Sequence, residues 1–199
     1  MAYTEKPDAM SFLREWTSLA ESGSGERGIF NRQAATKQAA KNGRRDPNYE
    51  WGCNPCSEIL LRGPKIDKNG QPVTGKDLLR KVRIATILGT VQSTYTKFPY
   101  LRKIWSKNTA EERLLGVSLT GIMDNELTNG KKGDLPALLE ELKQCAVDTN
   151  KEWADRLGIE VSTAISCCKP SGTVSQLTDS SSGIHARHSP YYIRTVRGD

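Results

Sequence analysis

A chain of 199 residues with a hydrophobic share of 36% suits one domain with its own core. It excludes collagen-like, mucin-like and disulfide-knot architectures, and no run approaches the roughly 18 consecutive apolar residues of a membrane-spanning helix. Twenty-nine Lys and Arg against 23 Asp and Glu give a net charge of +6, a balance suited to phosphates, nucleotides or nucleic acid, although the charges are dispersed.

Met1-Ala2-Tyr3-Thr4-Glu5-Lys6 lacks the basic-then-apolar pattern of a signal peptide, so the expected location is cytoplasmic. Phe12, Leu13, Trp16 and Leu19 recur at helical spacing after Pro7-Asp8, which predicts an amphipathic helix over 8–21 that stops in Ser22-Gly23-Ser24-Gly25. The stretch to Tyr49 is polar, with a short helix at most around Gln33 to Lys41. Its densest basic group, Lys41 to Arg45, has no interleaved aromatics and reads as a solvated loop rather than a nucleic-acid patch. Asn69-Gly70 marks a turn, and a strong helix is expected from Gly75 to Tyr95 with Leu78, Leu79, Val82, Ala85 and Leu88 on one face.

Thr109-Ala110-Glu111-Glu112 spells a capping box, so a helix should begin there and bring Leu114 and Leu115 inward. Gly116 to Met123 is apolar and glycine-punctuated, and periodicity does not decide between strand and helix. Pro136 opens the clearest helix, carrying Leu138, Leu142, Cys145, Thr149, Trp153 and Leu157 on one side and stopping at Gly158. Ser162 to Cys168 and Tyr191 to Val196 read as strands. The order is mixed α/β without internal repeats.

Five cysteines, an odd number outside a secretory context, point to reduced thiols with catalytic, redox or metal-binding roles. The sharpest feature is Gly52-Cys53-Asn54-Pro55-Cys56-Ser57-Glu58-Ile59. Pro55 biases Asn54 to an extended conformation, and extended residues two apart share a face, which groups Asn54, Cys56 and Glu58. Together they offer an amide to orient a substrate, a sulfur to do chemistry and a carboxylate to act as base. The Cys53-x-x-Cys56 spacing alone equally allows half a zinc site or a redox pair. A zinc site would need Cys167-Cys168 or His185-x-x-His188, and adjacent cysteines rarely chelate one ion together. Cys145, on the apolar face of a helix, reads as an inert core thiol.

Gly23-Ser24-Gly25-Glu26-Arg27-Gly28 matches the dinucleotide G-x-G-x-x-G string, but a helix precedes it where the fingerprint needs a strand. It is rejected as a nicotinamide site. Lys169-Pro170-Ser171-Gly172-Thr173-Val174-Ser175 follows an expected strand and precedes a short helix. Small residues, hydroxyls and free backbone N–H groups there suit an anion, and a plain strand-to-helix turn is the alternative.

Several stretches together resemble one family. Ser22-Gly23-Ser24-Gly25-Glu26-Arg27-Gly28-Ile29-Phe30-Asn31-Arg32, the Asn54 to Glu58 core, Glu111 to Asn125, Lys169 to Ser175 and Gly183 to Arg194 resemble, in matching order, the adenosylcobalamin-dependent ribonucleotide reductases. The resemblance implies a ten-stranded α/β barrel with a loop through its centre, of which this chain would form an incomplete, open part with bare apolar surface. It implies adenosylcobalamin as cofactor, a ribonucleotide di- or triphosphate as substrate and a thioredoxin-type reductant. Cys56 matches the cysteine that becomes a thiyl radical and abstracts the ribose 3′ hydrogen, Glu58 the base on the 3′ hydroxyl, and Asn54 the amide that holds the substrate hydroxyls. Ser171, Gly172, Thr173, Val174 and Ser175 match the loop that receives the phosphates.

The family is several times longer, so the chain resembles a central to C-terminal fragment of a single catalytic barrel domain spanning 1–199. A second reducing cysteine usually follows the Cys56 motif, whereas Arg62 to Gly75 has none. The expectation is a fragment, or one half of a split enzyme working beside a second chain. The alternatives are an inactive remnant and a small zinc or nucleic-acid-binding module. Neither a membrane nor direct nucleic-acid binding is expected.

Overall fold

The computed structural model describes residues 2–23, 28–40, 57–60, 74–169, 171, 174–189 and 191–193. The chain divides into two compact units, Met1–Cys53 and Asn54–Asp199. In the first, strands β1 (Ala2–Tyr3) and β2 (Phe30–Asn31) pair in parallel, with Ala2 opposite Phe30 and Tyr3 opposite Asn31. Helix α1 (Ala9–Ser22) lies between them in sequence and α2 (Arg32–Ala40) follows β2, close to the two helices expected.

Local chemistry sets the ends of these helices. Asp8 Oδ1 accepts from Ser11 N at 3.0 Å to cap α1, and Gly23 closes it at φ 57°, a left-handed conformation that costs glycine no Cβ clash. Asn31 Oδ1 accepts from Ala34 N at 3.0 Å at the start of α2. The Phe12 and Trp16 rings stack at 6.2 Å along the apolar stripe, but α1 buries none of its residues completely.

The second unit is built on parallel pairing. Strands β3 (Ser57–Leu60) and β4 (Val117–Thr120) run in register from Ser57 opposite Val117 to Leu60 opposite Thr120. On the other side of β4, residues 164–167 lie extended and parallel. Leu115 N donates to Ala164 O, Val117 N to Ile165 O and Cys167 N to Val117 O, at 2.8 to 3.1 Å. Of the strand expected over Ser162 to Cys168, only this edge forms, because Ser162 and Thr163 bond elsewhere, to Asn150 and Glu112.

Parallel neighbours need long crossovers. Helix α3 (Gly75–Gln92) and α4 (Lys103–Glu112) occupy the β3-to-β4 connection, and α5 (Leu135–Leu157) lies between β4 and residues 164–167. Leu78 and Val82 of α3, Leu142 and Ala146 of α5, and Leu115 and Val117 form the core. Both long helices therefore cover one face of the sheet. Asn150 pins them from inside, donating to Thr90 Oγ1 at 3.0 Å and to Ser162 Oγ at 2.9 Å while its Oδ1 accepts from Ser162 N at 2.9 Å.

Four expectations change. Helix α3 ends at Gln92 rather than Tyr95, because the Ser93 and Thr94 hydroxyls turn back onto the carbonyls of Thr90 and Val91, each at 2.7 Å. Leu88, assigned to the inner face, is 64% exposed. Thr109 to Glu112 closes α4 instead of opening a helix. Arg113 takes φ 50° as its C-cap, its Nη1 donates to Ser93 O at 2.8 Å, and no helix continues through Leu114 and Leu115. Tyr191 and Ile193 are exposed and form no strand, so the strand expected over Tyr191 to Val196 is absent from its described part.

Gly116 to Met123 uses both conformations left open, β4 and then a 3-10 turn, Ile122–Asp124. Helix α5 runs as expected from Asp134, whose Oδ1 accepts from Ala137 N at 3.1 Å, to Gly158 at φ 63°. The Asn69-Gly70 turn lies outside the described residues. The fold class is mixed α/β, and among the described residues the strands do not close into a barrel.

Candidate functional site

Asn54 and Cys56, with Cys53, fall outside the described residues, as do Gly172 and Thr173. Glu58 lies in β3, level with Ser118 of β4. Ser171, Val174 and Ser175 are described. Val174 opens a short helix, α6 (Val174–Leu177), and is 42% exposed, whereas Ser175 is fully buried and Ser171 nearly so.

The C-terminal end of β4 gathers these hydroxyls. Ser171 Oγ accepts from Ser175 N at 3.2 Å, and the Ser171 carbonyl accepts from Ser182 Oγ. Ser180 N donates back to Ser175 O at 3.0 Å. Thr120, the last residue of β4, accepts from Gly183 N at 2.6 Å, and Gly183 O accepts from Ile122 N at 3.3 Å. Ser171 and residues 174–183 are thereby folded onto the end of the strand. The Oγ atoms of Ser175 and Ser181 are both buried without a hydrogen-bond partner. A buried hydroxyl normally has one, so the pair is an unmet demand for an acceptor or donor.

An ion-pair cluster ties down the same segment. Asp124, at the end of the 3-10 turn, accepts through Oδ2 from Ser181 N at 2.8 Å and from Arg187 Nε at 3.0 Å, and Arg187 Nη2 lies 3.0 Å from the same oxygen. Arg187 Nη1 reaches Asp179 Oδ1 at 2.7 Å, and its Nη2 donates to the Asp179 carbonyl. Asp124, followed by Asp179, holds the guanidinium charge and raises the Arg187 pKa above its already high ordinary value. Asp124, Ser181 and Arg187 were not singled out as site residues by sequence reasoning. Their only signal is membership of the stretches that carry the family resemblance.

The other candidates lie elsewhere. His185 and His188 are exposed, and His185 Nδ1 lies 3.0 Å from Ser182 O. Among the described residues no three His, Cys, Asp or Glu side chains are placed to hold a metal ion. Cys145 is half-buried against the core, with Sγ 3.7 Å from Leu79 O, Cys167 is half-buried and Cys168 is exposed. A largely apolar cavity of about 480 Å3 opens between β4 and the first turns of α5, lined by Val117, Leu119, Pro136, Leu139 and Cys167. None of the serines of the 171–183 segment lines it.

The chain is similar to the adenosylcobalamin-dependent ribonucleoside-triphosphate reductase of Lacticaseibacillus paracasei, 28% identical over 221 residues that take in 90% of this chain and 28% of that protein. The same-named enzymes of Lactobacillus gasseri and Lactobacillus leichmannii are 28% and 24% identical, each over 73% of this chain and 23% of the relative. No family model and no solved structure matches the chain. The chain is thus similar to enzymes named as ribonucleotide reductases, in line with the resemblance of its motifs, and it spans about a quarter of the length of the curated relatives it matches. No described helix is long and apolar enough to cross a membrane.

Proposed function

We propose that the chain forms part of the catalytic barrel of an adenosylcobalamin-dependent ribonucleotide reductase and contributes its radical cysteine and its phosphate loop. One relationship carries this reading. The strand that bears Glu58 pairs in register with β4, whose last residue, Thr120, anchors the serine loop through Gly183. From the level of Glu58 to that of Thr120 is two residues, about 7 Å along a strand, the scale that separates a ribose from its phosphate chain.

In this reading the Cys56 sulfur, as a thiyl radical, takes the ribose 3′ hydrogen atom and becomes a thiol. Glu58 accepts the 3′ hydroxyl proton, and Asn54 holds the substrate hydroxyls. The order β3, β4 and residues 164–167, with both crossover helices on one face, suits a run of neighbouring barrel strands. Ser171 to Ser175 receive the phosphates, and the unpartnered hydroxyls of Ser175 and Ser181 are donors for them.

Adenosylcobalamin, which the relatives' names carry, would supply the radical equivalent. Described cavities of about 480 and 590 Å3 lie in the range of much smaller ligands. Neither of these two cavities among the described residues fits a corrin, and no step is assigned through it. The parts of the relatives that this chain does not span would bring the reducing thiols and the contact with a thioredoxin-type reductant.

The test is ribonucleotide reduction assayed in a complete, active reductase that contains this chain. Cys56→Ser should abolish it, since a hydroxyl is a far poorer hydrogen-atom partner than a thiol, and Cys53→Ser should leave most of it. Two equally inactive variants that both lose bound metal would establish a zinc site instead.

A further inference from the structure

Asp124 is an unexpected neighbour for a phosphate loop. Its side chain is only 10% exposed, and its Oδ2 holds Ser181 N at 2.8 Å, which sets a full negative charge beside the unpartnered Ser181 hydroxyl. Ser180 N, donating to Ser175 O at 3.0 Å, brings the second unpartnered hydroxyl into the same locality. A bare carboxylate there would repel the anion that those hydroxyls are suited to receive. Arg187 meets the same Oδ2 through both Nε and Nη2 and extends Nη1 to the Asp179 carboxylate and Nη2 to its carbonyl, so its donors are spent on the two aspartates.

We propose that Arg187 is a positioning residue of the phosphate site: it neutralises Asp124, so that an acid can fasten the Ser181 backbone without excluding a polyphosphate. The inference rests on the phosphate reading above. It separates two roles that a simple clamp would merge. Asp124 supplies an oxygen to a backbone donor, a task the side-chain oxygen of asparagine can perform. Arg187 supplies positive charge, a task no neutral residue can perform. Losing the arginine leaves the buried Asp124 carboxylate uncompensated beside the loop, whereas neutralising Asp124 removes that charge, and the 90% exposed Asp179 is screened by solvent.

Calorimetric titration of the full chain with ribonucleoside mono-, di- and triphosphates tests this. Arg187→Gln should weaken triphosphate binding about tenfold and monophosphate binding less, because the repulsion grows with ligand charge. Asp124→Asn should bind within about twofold of the parent, and the double variant should recover most of what Arg187→Gln loses. An equal loss for all three ligands, or a double variant as poor as Arg187→Gln, would show a merely structural clamp and overturn the charge role. A parent chain that binds none of the three nucleotides would overturn the phosphate reading itself, and this inference with it.

Discussion

Asn150 on α5 and Thr90 on α3 meet in the interior, amide nitrogen to hydroxyl at 3.0 Å, and the same amide closes a two-way bond with Ser162. All three residues are at least nine-tenths buried, so the group that links the two crossover helices to the chain entering the sheet edge is polar and fully used. Asn150→Leu would leave Ser162 N and two hydroxyls without their partner in a dry site. The expected cost is about 2–4 kcal/mol, read as a fall in the urea midpoint of the chain. Thr90→Val, which leaves the Ser162 bonds in place, should cost clearly less.

The start of α3 should respond to acid. Thr74 N donates to Asp77 Oδ2 at 2.9 Å and Asp77 N to Thr74 Oγ1 at 3.4 Å, a reciprocal cap. The Thr74 backbone bond, then its hydroxyl, lowers the Asp77 pKa below the ordinary 3.8. A carboxyl depressed in the folded state stabilises fully above its unfolded pKa and loses that contribution as pH falls through the folded value. Thermal stability should therefore drop below about pH 4, and part of that drop should vanish in Asp77→Asn. An unchanged acid limb in this variant would remove the cap from the account.

The helices were legible where both ends carry local signals. Asp8 and Gly23 bracket α1, and Pro136 and Gly158 bracket α5, so each end is specified within a turn of itself. Thr109 to Glu112 misled because its letters spell a start, whereas Arg113 in a left-handed conformation makes it a stop. The true box, Thr74 with Asp77, uses aspartate where the pattern asks for glutamate or glutamine. At the candidate site the serine-rich turn was readable from its chemistry. Asp124 and Arg187 are 63 positions apart, and no periodicity links residues at that distance.

Charge added to the serine loop should be read by nucleotide affinity. Thr173→Asp places a carboxylate between Ser171 and Ser175 and should weaken triphosphate binding by more than about tenfold. Gln92→Glu adds the same charge at the end of α3, next to the Ser93 carbonyl that Arg113 holds ahead of β4, and should leave binding unchanged. Serine changes at 180–182 are not neutral comparators, because Ser180 and Ser181 are buried in the loop itself. Equal affinity for both charge variants would detach this loop from the phosphates.

Thr120 is the point at which the loop is held to the sheet. Thr120→Val keeps the shape and removes the acceptor for Gly183 N, a buried donor, at an expected cost of about 1–3 kcal/mol. Hydrogen exchange at Gly183 and Ser181 should quicken well before that of the α3 and α5 amides. Uniform quickening across the unit would mean that the loop and the helices open together.

The pairing of β3 with β4 joins residues 60 positions apart, from Ser57 opposite Val117 onward. Contacts of that sequence separation must pay their loop-closure entropy before they gain anything, so they form late and slowly. Helices α3 and α5, each with its own cap, can be largely built before the strand carrying Glu58 finds its partner. During synthesis that strand would wait, unpaired, until β4 and the helices had left the ribosome. The segment next in sequence to Cys56, the proposed radical cysteine, is then the one most exposed to mispairing and most dependent on the rest of the chain arriving.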